Sequence, residues 1–221
     1  MIKAVILDMD GTMIDTEKQS SLDWPAVGEK YGFLVDDEFI HAFLGLSGKV
    51  KIEKLKERLP HLDPLEVMAY YRSLTKIRFE RDGILVKPGL KELLTFCRNQ
   101  KLKLAVASAA PLSRIQGILS GIEVYDFFDV LVGGDSITHQ KPNPEIYTLT
   151  ALKLGVECSE CIVIEDSRVG IASAYAAKTK PILVPDVETP DQKMLNHCVR
   201  CVPSLSEAIF IIEKLILEPS N

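Results

Sequence analysis

Five short β-branched runs, at residues 3–8, 102–107, 130–132, 162–165 and 182–184, constrain this chain more than any other feature. A strand that alternates apolar and polar has one wet face, whereas a strand that is apolar throughout must be covered on both. Helix-length segments lie between the later runs, at 90–99, 112–119, 144–154 and 170–177. The repeating unit is strand, helix, strand, which predicts an α/β fold built on a doubly wound parallel sheet. Residues 198–202 alternate like one further strand.

The first run breaks the rhythm. Residues 15–83 contain no convincing strand but several amphipathic helical stretches. In 50–59, Val50, Ile52, Leu55 and Leu59 fall partly on one face, with Lys51, Lys54, Lys56 and Arg58 elsewhere. The expected organisation is a core of 1–14 and 84–221 with a helical domain, 15–83, inserted after the first strand. Asp15, Thr16 and Glu17 have the character of a helix start, and Lys87, Pro88 and Gly89 break the pattern where the core resumes. Pro25 predicts a kink or restart in the first insert helix, and Trp24 is expected in the insert's own core.

A length of 221 residues suits one domain carrying a smaller insert. With 26 Lys+Arg against 31 Asp+Glu, the net charge is −5 and no basic tail interrupts it, which argues against a nucleic-acid partner. No apolar run approaches membrane-spanning length and the N-terminus lacks a signal-peptide pattern, so a cytoplasmic protein without membrane association is expected, as a monomer or weak dimer. The five cysteines are odd in number, which fits a reducing compartment. Cys158/Cys161 and Cys198/Cys201 have zinc-like spacing, but both pairs adjoin apolar runs without a glycine knuckle. They are expected to act as small hydrophobes.

In an open parallel sheet, ligands bind beyond the carboxyl ends of the strands. The informative polar residues fall at such ends: Asp8 and Asp10 in DMDGT after the first run, Ser108 after the second, Lys141 in the loop after the third, and Glu165 with Asp166 at the fourth. Two carboxylates two residues apart before a glycine turn can divide labour. Asp8 would be the nucleophile, and Asp10 would protonate a leaving oxygen and later deprotonate water. A hard divalent ion, Mg²⁺, would be held by Asp8, an oxygen of Asp10 and Asp166, with Glu165 as a ligand or water-mediated contact. Ser108, Lys141 and the backbone amides of Met9, Gly11 and Ala109 would receive a phosphoryl group. Each element also has a plain reading: a DxD as a turn or cap, Ser108 and Asp166 as helix caps, Lys141 as a solvated loop charge. Those readings leave unexplained why all of them belong to one edge of one sheet. The four histidines, His41, His61, His139 and His197, are scattered.

Taken in order, DMDGT, VASAAP, KPNPEIY and EDSRVGI resemble the four motifs of haloacid dehalogenase-like phosphatases, in the β-phosphoglucomutase-like branch with a helical cap inserted after the first motif. The resemblance spans the chain, with 15–17 and 87–89 similar to the cap junctions. It implies a Rossmann-like core, a four-helix cap, Mg²⁺ as cofactor and a small phosphorylated metabolite, a sugar phosphate, as substrate. Asp10 sets the chain apart from the dehalogenases and phosphonatases of that superfamily. A sugar-phosphate mutase is the rival activity. Against it stand Ser20 in place of an expected cap histidine, Lys49 in place of an arginine, and Thr12 in place of a small apolar residue. Residues 45–49 resemble the specificity loop, and Thr16, Glu17, Ser20, Lys49 and Lys76 are the cap candidates, with Lys49 and Lys76 also readable as solvated helix charges. Receiver domains use similar groups, but their acceptor aspartate follows the third strand.

Overall fold

The computed structural model describes residues 1–44, Leu46 and 48–217, with the Lys49 side chain outside that set. Two compact units emerge, Met1–Asp15 with Val86–Asn221, and Thr16–Leu85.

The first unit is a parallel sheet in the order β3-β2-β1-β4-β5-β6. Its strands are β1 (Ala4–Leu7), β2 (Lys103–Ala107), β3 (Val130–Val132), β4 (Cys161–Glu165), β5 (Lys180–Leu183) and β6 (Arg200–Cys201). Strand order reverses beside β1: the chain moves outward through β2 and β3, then returns to lay β4 on the other flank of β1. The α/β, Rossmann-like architecture follows from the apolar strands. One face, with Ala4, Ile6, Ala105, Ala107, Cys161 and Val163, packs with Ile146, Tyr147, Ala151 and Ala174. The alternate residues Val5, Leu7, Leu104, Val106, Ile162 and Ile164 face the other way and are equally buried, so both faces are covered.

The second unit is helical: α1 (Thr16–Ser21), α2 (Trp24–Tyr31), α3 (Asp37–Phe43), α4 (Gly48–Arg58) and α5 (Pro64–Asp82). Among the described residues it thus has five helical segments where the resemblance implies four. The extra one arises because α1 ends at Ser21 and the helix restarts with Pro25 in the first turn of α2, where a missing N–H does no harm. Trp24 is the centre of this unit's core, stacked on Tyr71 at 4.3 Å and packed against Phe43 at 5.1 Å between ring centroids. Gln19 ties the unit's two ends, donating to Gly83 O (2.7 Å) and accepting from Leu85 N (3.1 Å), so Leu85 belongs with the helices.

The face expected on α4 is corrected. Val50 is largely exposed, whereas Lys51 is only 5% exposed. Lys51 lies one helical turn before the buried Leu55, and its ammonium is held by Glu17 at 3.1 Å with the Tyr71 ring 5.8 Å away. An ion pair inside the unit overrides the polar label that sequence patterning assigns to lysine.

The α-helices of the first unit among the described residues are α6 (Leu90–Asn99), α7 (Leu112–Gly121), α8 (Glu145–Leu154), α9 (Arg168–Ala176), α10 (Gln192–His197) and α11 (Leu205–Leu217). No helix of the described residues is long and apolar enough to cross a membrane.

The sequence contains a single tryptophan, so its fluorescence reports on the helical unit alone. Phe43→Ala removes a ring packed on Trp24 and is expected to lower that unit's stability by about 3–5 kcal/mol. The check is the urea midpoint read from Trp24 emission; an unshifted midpoint would show that this aromatic cluster does not hold the unit together.

Candidate active site

The ends of β1, β2 and β4 lie side by side, and the residues just beyond them form one polar cluster. Asp8 continues the β1 ladder, its N–H donating to Ile164 O at 3.0 Å. Its buried carboxylate accepts from Lys141 Nζ at 2.5 Å. Lys141 comes from the loop between β3 and α8, and its side chain is 7% exposed. The same ammonium donates to Glu165 Oε1 at 2.8 Å and to Ala107 O at 3.3 Å. Tyr147, one turn into α8, supports both partners: its hydroxyl donates to Glu165 Oε1 (3.1 Å), and Lys141 Nζ lies 4.9 Å from its ring centroid.

Charge in this cluster is unevenly supplied. Burial pushes Asp8 up to about 7, opposed by Lys141 and reinforced by Glu165. Burial likewise raises Asp166 well above the ordinary carboxylate range, with Glu165 and Asp8 adding to the shift. For Lys141 burial works against the charge, but Asp8 and Glu165 outweigh it and hold the ammonium firmly protonated. Burial also opposes ionisation of Glu165, and Lys141 and Ser167 more than compensate. Two buried carboxylates, Asp8 and Glu165, therefore share one ammonium, with Asp166 beside them.

The oxygen-only donor set suits a hard cation. Mg²⁺ needs only one or two protein carboxylates and keeps several waters, and Asp8 and Asp166 meet that requirement. Among the described residues no three His, Cys, Asp or Glu side chains form a more complete metal cage. Asp166 leans over the DMDGT turn, where its Oδ1 accepts from Thr12 Oγ1 at 3.1 Å. Gly11 has φ 86°, and a Cβ there would run into the Asp166 carboxylate, so the turn is shaped to receive that group.

Glu165, expected as a metal ligand or water-mediated contact, has both oxygens engaged by the protein. Its Oε1 is taken by Lys141 and Tyr147, and its Oε2 by Asp166 N (2.9 Å), Ser167 N (2.9 Å) and Ser167 Oγ (3.0 Å). It anchors Lys141 and the start of α9. The plain readings of the neighbouring residues also change. Ser167, not Asp166, caps α9, through Gly170 N. Leu112 N, at the start of α7, is capped by Asp135, while Ser108 Oγ closes its own loop by accepting from Ala110 N at 3.2 Å. Ala109 lies between them, so its backbone borders the same strand end. Lys141 is buried and not a solvated loop charge.

Two residues that sequence reasoning did not single out complete the cluster. Tyr147 was submerged in an apolar helix pattern. Arg114, on α7, holds Asp10 with both guanidinium nitrogens, Nη1 to Oδ2 at 2.7 Å and Nη2 to Oδ1 at 2.8 Å. Nothing in the sequence links positions 104 residues apart.

In the helical unit, Thr16 and Ser20 are buried, Ser20 Oγ donates to Glu17 O at 3.1 Å, and Glu17 pairs with Lys51. Lys76 is 77% exposed, its ammonium 3.7 Å from Glu80 one turn on. Gly45, Ser47 and the Lys49 side chain lie outside the described residues. The cysteine pairs belong to separate clusters, Cys158 and Cys161 with the main core and Cys198 with the α9–α10 cluster. Burial raises all four of these thiols.

Residues 5–184 match the family model of the haloacid dehalogenase-like hydrolases. The chain belongs to that family and is an enzyme of its hydrolase class. It is 32% identical to a phosphorylated carbohydrates phosphatase of Thermotoga maritima, over 80% of this chain and 82% of that one. It is 30% identical to hexitol phosphatase B of Escherichia coli K12, over 85% of each. Among solved structures, a proposed beta-phosphoglucomutase from Thermotoga maritima superposes with a TM-score of 0.83 at 27% identity, covering 97% of this chain and 100% of that one.

Removing the shared ammonium leaves buried carboxylates uncompensated. Lys141→Met is therefore expected to destabilise the protein by about 3–5 kcal/mol, measured by urea unfolding followed by circular dichroism. A loss below about 1 kcal/mol, the range of a surface ion pair, would mean that Lys141 does not balance this cluster.

Proposed function

We propose that the chain is a Mg²⁺-dependent phosphatase of a small phosphomonoester, a sugar phosphate, acting through an aspartyl-phosphate on Asp8. The observation that carries this reading is the buried Asp8 carboxylate held 2.5 Å from Lys141, at the point where the β1, β2 and β4 ends adjoin. Asp8 attacks phosphorus in line and forms the new P–O bond. The ester P–O bond breaks with its electron pair on the leaving oxygen, which takes a proton from Asp10. Water then attacks the aspartyl phosphate, Asp10 receives the water's proton, and orthophosphate leaves as the Asp8 carboxylate is restored.

Ser108 Oγ and the amides of Met9, Gly11 and Ala109 receive phosphoryl oxygens, and Lys141 offsets their charge. Asp8, Asp166 and an oxygen of Asp10 would hold the Mg²⁺, which when bound neutralises negative charge on the phosphoryl group. Glu165 keeps Lys141 in place. The helical unit acts as the cap, and Thr16, Glu17, Ser20, Lys49 and Lys76 are its candidates for substrate choice. The activities for which the two phosphatase relatives are named support a phosphorylated sugar or sugar alcohol. The odd cysteine count supports a cytoplasmic location. The chain's resemblance in fold to a proposed mutase leaves the fate of the phosphate to be measured.

Asp8→Asn is expected to lower turnover by about 10³-fold or more with an unchanged circular dichroism spectrum. Substantial Mg²⁺-dependent activity in this variant would remove Asp8 as the nucleophile. In a panel of sugar and sugar-alcohol phosphates, free orthophosphate should be the main product. Isomerised sugar phosphate formed without phosphate release, and dependent on a bisphosphate activator, would establish the mutase instead.

A further inference from the structure

An acid must carry its proton on an oxygen turned toward the group it protonates, and a base needs an oxygen open to water. In the structure Asp10 is only partly open to water, its side chain 31% exposed. Both of its oxygens accept from Arg114, at 2.7 and 2.8 Å, in the parallel two-bond geometry that a guanidinium makes with a carboxylate. Arginine has five donors and no acceptor, so it cannot receive a hydrogen bond from a carboxylic acid hydroxyl. The fork therefore holds both Asp10 oxygens in one fixed geometry and must open for either of them to turn toward a reacting group.

The two partners come from elements that each carry part of the site. Asp10 lies two residues beyond Asp8, and Arg114 is in the first turn of the helix that follows the Ser108 loop. The fork thus joins the first and second strand ends. Its side chains are 43% exposed for Arg114 and 31% for Asp10, so water competes for both and the pair opens readily.

We propose that Arg114 is a positioning residue that latches Asp10 in a doubly accepting, unproductive geometry, and that the latch opens in every turnover. It rests on the reading of Asp10 as the acid and base. It adds that a second side chain sets the fraction of molecules in which Asp10 is available. A latch of this exposure lowers that fraction by roughly two- to tenfold.

The test uses p-nitrophenyl phosphate with Mg²⁺ under rapid mixing. The burst reports transfer to Asp8, a step in which the nitrophenolate needs no proton, and the later phase reports hydrolysis of the aspartyl phosphate, which needs Asp10 as base. Relative to its own burst, Arg114→Met is expected to hydrolyse the aspartyl phosphate roughly two- to tenfold faster. Arg114→Lys, with a point charge in place of the fork, should fall between that variant and the parent. The difference should shrink as salt rises, because an exposed pair is screened.

A hydrolysis phase unchanged or slowed in Arg114→Met would overturn the latch. So would a difference insensitive to salt, or an Arg114→Lys variant indistinguishable from Arg114→Met. Asp10→Asn separates the two levels: if its aspartyl phosphate is hydrolysed as fast as the parent's, the acid/base reading of Asp10 fails. If Asp10→Asn stalls while Arg114→Met gives no acceleration, the latch alone fails.

Discussion

The Lys141 ammonium is the interaction on which the rest of the site depends. An unpaired carboxylate in a protein interior is expensive, and Asp8, Glu165 and Asp166 are gathered at the ends of two adjacent strands. One buried ammonium touches two of them, and its positive charge keeps both within reach of the backbone that surrounds them. Glu165 is the fixed member of the trio, with every oxygen accepting from the protein. Its fixed position holds Lys141 against Asp8. Tyr147 reinforces this from below, so the core of the sheet and the polar cluster share a side chain.

Much of this was legible from strand ends. Asp8, Ser108, Lys141 and Asp166 each follow a recognisable apolar run, and a doubly wound sheet forces such positions toward one edge. The sheet and its insertion were legible for the same reason, because strands buried on both faces read as unbroken apolar runs. Lys51, Tyr147 and Arg114 were not legible. Pattern reading scores each residue by its own polarity, and these three are placed by partners 34, 18 and 104 positions away. Lys51 reads as a solvated charge until Glu17 is seen beside it. Tyr147 reads as one more apolar residue on α8. Glu165 was identified, but the donors that converge on it were not, since sequence cannot show how many groups meet a carboxylate.

Family membership and the cluster's chemistry answer different questions. In the proposed reaction the core motifs meet only the phosphoryl group, so they cannot select a substrate. The relatives illustrate this: names for a phosphatase of carbohydrates, one of hexitols and a mutase attach to chains of similar sequence or fold. Variation in activity must come from residues outside the four motifs. Arg114, bonded to Asp10, is one such position within the core unit itself.

Glycine next to acid is a second theme of the site. Gly11 follows Asp10, and its left-handed backbone leaves space that Asp166 fills. Gly170 follows the EDS segment, and a Cβ there would strike the Glu165 carboxylate. In both places the missing side chain lets a carboxylate lie close against a turn or a helix start, where backbone N–H groups can partly offset its charge. The net charge of −5 therefore does not describe a diffuse acidic surface alone. Part of it is concentrated at one sheet edge by an ammonium, two glycines and a guanidinium, and these groups leave the edge deficient in positive charge. That deficiency is the electrostatic ground for the proposed cation and, with it, the proposed anionic substrate.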